Sequence, residues 1–192
     1  MTTAKKVIAI GASTGGVEAL MEVLSSLKPP IPPIVLVLHM PVGFTKLFAS
    51  QLNRKIEMDV KEAQTGDFLI NGQVLVAPAG KHMKVVGFRD NLKVECFAGE
   101  KVQHVIPSAD VLFDSVADVV KQDAIGVILT GMGSDGARGL LNMRKSGAQT
   151  IGQNKESCTI YGMPKVAKEM GAVMYELPLN HISQKILSLL AR

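Results

Sequence analysis

Lys6–Gly16 reads KVIAIGASTGG. Lys6–Ile10 is a short apolar run stopped by a glycine, the pattern of a buried strand. After the glycine-rich turn, Gly15–Ser26 places Val17, Leu20, Met21 and Leu24 at helical spacing and ends before Pro29-Pro30. Ile34–Leu38 (IVLVL) is a second unbroken apolar run, the kind of strand covered on both faces. Phe44–Leu52 reads as another helix. This β-α-β-α order implies parallel strands joined by right-handed crossovers.

The middle of the chain has a different pattern. Asn71-Gly72 is a hairpin signal between Phe68–Ile70 and Gln73–Ala77. Lys84–Val86 and Leu92–Phe97 flank a polar turn at Arg89-Asp90-Asn91. Residues 65–100 are therefore expected to be an antiparallel insert. The alternation resumes with a helix over Ala109–Lys121, a buried strand over Ala124–Thr130 and a helix over Ala137–Lys145 stopped by Gly147. Strands at Gln149–Gln153 and Val173–Glu176 and helices at Pro164–Met170 and Ile182–Leu190 complete it. The expected fold is α/β, three-layered and doubly wound, with a mostly parallel sheet and an antiparallel hairpin insert. All 192 residues are read as one domain.

Composition narrows the function. Apolar residues make up 47% and charged residues 20%, which excludes wholesale disorder. The net charge of +4 is scattered, and 4% aromatics offer few rings for base stacking, so nucleic acid is not an expected partner. Cys96 and Cys158 lie 62 positions apart with no CxxC, so neither a zinc knuckle nor a disulfide framework is expected. That usage points to a reducing cytoplasm. No signal segment precedes the first strand, and no apolar run approaches the ~20 residues of a membrane span, so membrane insertion is not expected.

In open α/β sheets, ligands bind beyond the carboxyl ends of the strands. Three such ends carry chemistry. Gly11-Ala12-Ser13-Thr14-Gly15 fits G-x-S-x-G, a strand-to-helix turn that raises a serine beside unpaired amides. A helix cap or an anion-binding loop would use the same residue types. His39 follows the second strand and reads as a general base or as a strand-end cap. Asp135, inside Gly131–Gly136, reads as the carboxylate that orients a histidine or as an Asx turn. Each of the three lies just past a different buried strand of one sheet, which favours a Ser13/His39/Asp135 triad. The order serine, histidine, aspartate is not that of the α/β-hydrolases. Gly131–Gly136 also fits G-x-G-x-x-G, with Glu156 20 residues further on. Only 56 residues follow, too few for a normal dinucleotide domain, and Asp135 would oppose a pyrophosphate.

At these residues the chain closely resembles the catalytic domain of the bacterial chemotaxis protein-glutamate methylesterases, the CheB family. The matching stretches are IGASTGGVEAL (Ile10–Leu20), HMPVGFT (His39–Thr45), VAPAGKHM (Val76–Met83), PSADVLFDSVA (Pro107–Ala117), GVILTGMGSDGARGL (Gly126–Leu140) and QNKESCTIYGMP (Gln153–Pro164). The resemblance implies hydrolysis of γ-glutamyl methyl esters on the cytoplasmic helices of methylated chemoreceptors, releasing methanol, and deamidation of particular glutamines. It implies Ser13 as nucleophile, His39 as base, Asp135 as orienting acid and the Met132 N–H as oxyanion donor. The Thr14 N–H is a second donor expected from the elbow. No metal or organic cofactor is implied.

The chain departs from the family's usual pattern in three places. Leu38 stands where glutamine often precedes the histidine, and Ile106 stands where arginine often precedes Pro107-Ser108. Family members usually carry an N-terminal receiver domain. Here Met1 lies only about five residues before the first strand, so that domain is expected to be absent from this chain.

Overall fold

A computed structural model describes residues 6–88 and 91–191. Its main sheet holds seven strands: β1 (Val7–Ala12), β2 (Ile34–Leu38), β3 (Asp59–Glu62), β4 (Gln73–Val76), β7 (Ala124–Ile128), β8 (Gln149–Gln153) and β9 (Tyr175–Leu177). The order across the sheet is β3-β4-β2-β1-β7-β8-β9, and every pairing is parallel. The remaining strands, β5 (His82–Phe88) and β6 (Asn91–Phe97), form a separate antiparallel pair. The α-helices among the described residues are α1 (Gly16–Ser25), α2 (Phe44–Asn53), α3 (Ala109–Val119), α4 (Ala137–Lys145), α5 (Met163–Glu169) and α6 (Leu179–Leu190).

Side-chain alternation divides the core into two layers. Along β1, Ile8 and Ile10 face one side while Val7 and Ala9 face the other, as the two-residue period of a strand requires. The first layer takes Leu20 and Leu24 of α1, Phe48 and Leu52 of α2, and Ile182 and Ile186 of α6. The second takes Leu112, Phe113 and Val116 of α3, Leu140 and Met143 of α4, and Met163 and Ala167 of α5. The antiparallel pair joins this second layer through Met83, Val85, Leu92 and Val94. Both faces of the central strands are therefore dry, which explains their unbroken apolar sequences.

The expected hairpin at Asn71-Gly72 is not formed. Gly72 does take the left-handed backbone that such a turn needs, with φ 80°. Its N–H donates to Ile31 O, however, and the chain continues into β4, which pairs in parallel with both β2 and β3. Residues 66–69 run beside β6 without forming a regular strand: Phe68 makes an isolated antiparallel bridge to Lys93, and the Leu69 N–H donates to Leu92 O. The antiparallel insert thus narrows to β5 and β6, and Arg89 and Asp90 of its expected turn lie outside the described residues. β3 had no counterpart in the sequence reading. Its residues, DVKE, carry one buried apolar side chain, Val60, because the strand lies at the sheet border.

From β1 the chain adds β2, β4 and β3 on one flank, then returns to place β7, β8 and β9 on the other. The winding direction therefore reverses between β1 and β7, and a crevice opens above this point in doubly wound sheets.

Candidate active site

Ser13, His39 and the Gly131–Gly136 loop all meet at that crevice. Ser13 leaves the end of β1 and its N–H donates to Thr130 O at 3.0 Å, on the β7 side. On the β2 side, Ala12 pairs with Leu38, and the His39 N–H donates to Ala12 O at 3.2 Å. Ser13 and His39 are thus the next residues of two neighbouring strands, which run about 4.8 Å apart. A side chain at Gly131 would put its Cβ 2.7 Å from Ser13 Cβ, so only glycine lets the β7 loop close over the serine.

His39 Nε2 hydrogen-bonds Asp135 Oδ2 at 2.8 Å. The imidazole is 13% exposed and the carboxylate 3%. Asp135 reaches this position because its loop folds over the start of α3. Ser108 Oγ donates to Oδ1 at 2.6 Å, the Ala109 N–H to Oδ2 at 2.7 Å and the Asp110 N–H to Oδ1 at 3.1 Å. With His39 these make four donors for two oxygens, about the full capacity of an ionised carboxylate. Burial pushes the Asp135 carboxyl up, but the bonds from His39, Ser108 and the two amides outweigh it and hold it below its ordinary value. Asp110, beside it, is displaced the other way: burial raises its carboxyl, and the Asp135 charge adds to that against the Gly139 N–H and Arg138.

The helix-cap alternative for Ser13 and Asp135 is tested by the starts of α1 and α4. The cap position of α1 is Gly15 and that of α4 is Gly136, and neither helix start takes a side-chain cap bond. Neither Ser13 nor Asp135 therefore caps the helix that follows it in sequence, although Asp135 accepts the first amides of α3. The Ser13 hydroxyl makes no hydrogen bond among the described residues, so the structure joins His39 to Asp135 and leaves the serine beside the pair. No described residue accepts from the Met132 or Thr14 N–H. The Met132 side chain is 72% exposed on the same loop. That loop is anchored from below, where Gly131 O accepts from the Gly162 and Met163 N–H groups at 3.1 and 2.8 Å.

An open cleft of about 260 Å³ adjoins the imidazole, lined by His39, Met40, Pro41, Lys101, His104, Val105 and Ile106. Sequence reasoning missed Ser108 as a partner of Asp135, although Pro107-Ser108 lies in one of the matching stretches. An Asp-binding serine at a helix start looks locally like any N-cap, and its Oγ does also accept from the Val111 N–H at 3.4 Å. Among the described residues, no group of three or more His, Cys, Asp or Glu side chains could hold a metal ion.

A doubly wound parallel sheet with a serine beside a histidine–aspartate pair at its switch point defines the class of protein. The particular kinship comes from comparison with known proteins. Residues 8–186 match the family model for the CheB methylesterase, and the chain belongs to that family. It is 53% identical over 184 residues to the protein-glutamate methylesterase/protein-glutamine glutaminase 2 of Syntrophomonas wolfei, covering 96% of this chain and 54% of that protein. A Sulfurimonas denitrificans protein-glutamate methylesterase/protein-glutamine glutaminase is 52% identical over 189 residues, 98% of this chain and 54% of the relative. The chain thus spans about half the length of the curated relatives it matches. The crystal structure of the Thermotoga maritima CheB methylesterase catalytic domain superposes with a TM-score of 0.93 at 37% identity, covering 96% of this chain and 98% of that one.

Proposed function

We propose that this chain hydrolyses γ-glutamyl methyl esters on the cytoplasmic helices of methylated chemoreceptors, with Ser13 as nucleophile, His39 as base and Asp135 as orienting acid. The observation that carries the reading is the 2.8 Å bond from His39 to a buried carboxylate, at a strand end next to Ser13. The relatives' names supply the ester and amide chemistry. The proposed setting is the cytoplasm, and a receiver domain belongs among the partners. Among the described residues, no helix is long and apolar enough to cross a membrane.

Asp135 occupies Nε2, so Nδ1 is the nitrogen that takes the serine proton. As Oγ attacks the ester carbonyl carbon, that proton passes to Nδ1, and Asp135 stabilises the imidazolium. The tetrahedral oxyanion is received by the Met132 and Thr14 N–H groups. Collapse breaks the bond to the methoxy oxygen, which leaves as methanol carrying the proton from Nδ1. Water then adds to the acyl-enzyme, passes its proton to Nδ1 and releases glutamate, and the serine regains its hydrogen. The Ser13 hydroxyl makes no hydrogen bond to the imidazole here, and in unliganded sites such bonds often form only on substrate binding. Applied to a glutamine amide, the same sequence releases ammonia.

Incubation with methylated receptor, scored by volatile methanol, tests the reading. Ser13→Ala is expected to lower release by roughly 10⁴-fold or more. A loss below tenfold overturns it.

A further inference from the structure

Ser108 has no part in the chemistry proposed above, yet its contacts extend inward from the histidine–aspartate pair. It is fully buried and occupies the cap position of α3. Its hydroxyl lies 2.6 Å from Asp135 Oδ1. An ionised carboxylate has no proton to give, so the hydroxyl is the donor. Behind it, the Ser108 N–H donates to Nδ1 of the buried His82 at 3.2 Å, and His82 Nε2 bonds Glu100 O at 2.8 Å. The first contact leaves a lone pair on Nδ1, so the His82 proton sits on Nε2 and is donated to the carbonyl. Glu100, His82, Ser108, Asp135 and His39 thus form one hydrogen-bonded string that runs from an exposed loop through buried His82 and Ser108 to the site.

We infer that Ser108 is a positioning residue for the reaction, holding Asp135 so that Oδ2 stays aimed at His39. The inference rests on Asp135 being the orienting acid. Of the four donors on the carboxylate, two are amides fixed by the course of α3 and one is the imidazole itself. The Ser108 hydroxyl is the only side chain other than His39 that donates to Asp135 among the described residues. Without it, Oδ1 keeps the single, longer contact from the Asp110 N–H at 3.1 Å. The carboxylate is then freer to turn, and His39 loses its fixed orientation. The effect falls on the chemical step, because Ser108 is buried away from substrate.

Ser108 also caps α3, so the test must separate the two roles. Glycine caps a helix nearly as well as serine but has no hydroxyl, whereas alanine supplies neither. Ser108→Gly is expected to lower kcat for methanol release by roughly 10- to 100-fold, the range for a hydrogen bond to a charged group. KM should stay within about twofold, and the melting temperature should fall less than in Ser108→Ala, because only the alanine variant also loses the cap. Ser108→Ala should lose the same factor in kcat and melt earlier. The acid limb of the kcat profile should also move to higher pH in Ser108→Gly, because one of the groups holding Asp135 ionised is gone. The charged groups facing that carboxyl, His39 and Asp110, are unchanged in the variant.

If Ser108→Gly keeps wild-type kcat, or if kcat falls only in Ser108→Ala and in step with its melting temperature, the serine is merely a cap and the inference fails. The underlying reading fails separately, through an inactive wild type or an active Ser13→Ala.

Discussion

Asp135 is worth more to this fold than an average surface carboxylate, because nearly all its hydration has been exchanged for four protein donors. Its depressed native pKa makes a signed statement about stability. A carboxyl held lower in the folded chain than in the unfolded one stabilises fully above its unfolded value of about 4 and loses that contribution as pH falls through the native value. The stability gap between wild type and Asp135→Asn, measured by urea unfolding, should therefore shrink as pH falls below about 4. A gap that widened below about pH 4 would contradict the donor set. The cysteines give a second residue-scale test. Burial is the largest cause raising the Cys96 and Cys158 thiols, each to about 11. Alkylation by iodoacetamide at pH 8 should be slower than in the unfolded chain by on the order of 100-fold, the ratio of thiolate fractions. The rate should recover as pH approaches 11. At this scale much of the site was legible, since Ser13, His39 and Asp135 each follow a recognisable apolar run. Ser108 was not, because its bond to Asp135 spans 27 positions and leaves no local pattern.

The packing of α3 on α4 fixes the distance between the Asp135 loop and its donors. A Cβ at Gly139 would stand 2.7 Å from Phe113 Cβ and 2.9 Å from Asp110 O, so the two helices approach through a missing side chain. The Gly139 N–H also donates to Asp110 Oδ1 at 2.7 Å, tying the start of α4 to the start of α3. Gly139→Ala improves helix propensity by up to about 1 kcal/mol, yet overpacking costs typically 1–3 kcal/mol. The net expectation is a melting temperature lower by a few degrees. It should be accompanied by a fall in the proposed ester hydrolysis, since α4 is pushed from α3 and carries Asp135 with it. A variant that melts higher and hydrolyses normally would show that the helices have room. Elements with strong periodicity were read from sequence to within a residue or two, as for α4 and β2. The misreading at Asn71-Gly72 has a physical origin: a left-handed glycine serves any tight reversal, and nothing local distinguishes a hairpin from a turn into a parallel strand. That strand's partners, Ile34–Leu36 and Asp59–Glu62, lie far away in the chain.

Across the whole molecule, the parallel winding brings the carboxyl end of every strand in the main sheet to one rim. The reversal between β1 and β7 puts Ser13 and Gly131 in adjacent columns of that rim. The rim could be anticipated from strand–helix alternation alone, whereas the order of strands along it depends on contacts between distant segments. The two outermost strands carry a different consequence. A sheet that ends in solvent offers unpaired amides and carbonyls to any neighbouring chain. β9 is only three residues long, and β3 sets Asp59, Lys61 and Glu62 around a single apolar residue. Replacing Asp59 and Lys61 by valine should leave the chain folded but produce concentration-dependent light scattering within hours, whereas wild type stays clear. The unattractive composition of these border strands thus acts as a colloidal safeguard, keeping the molecule dispersed.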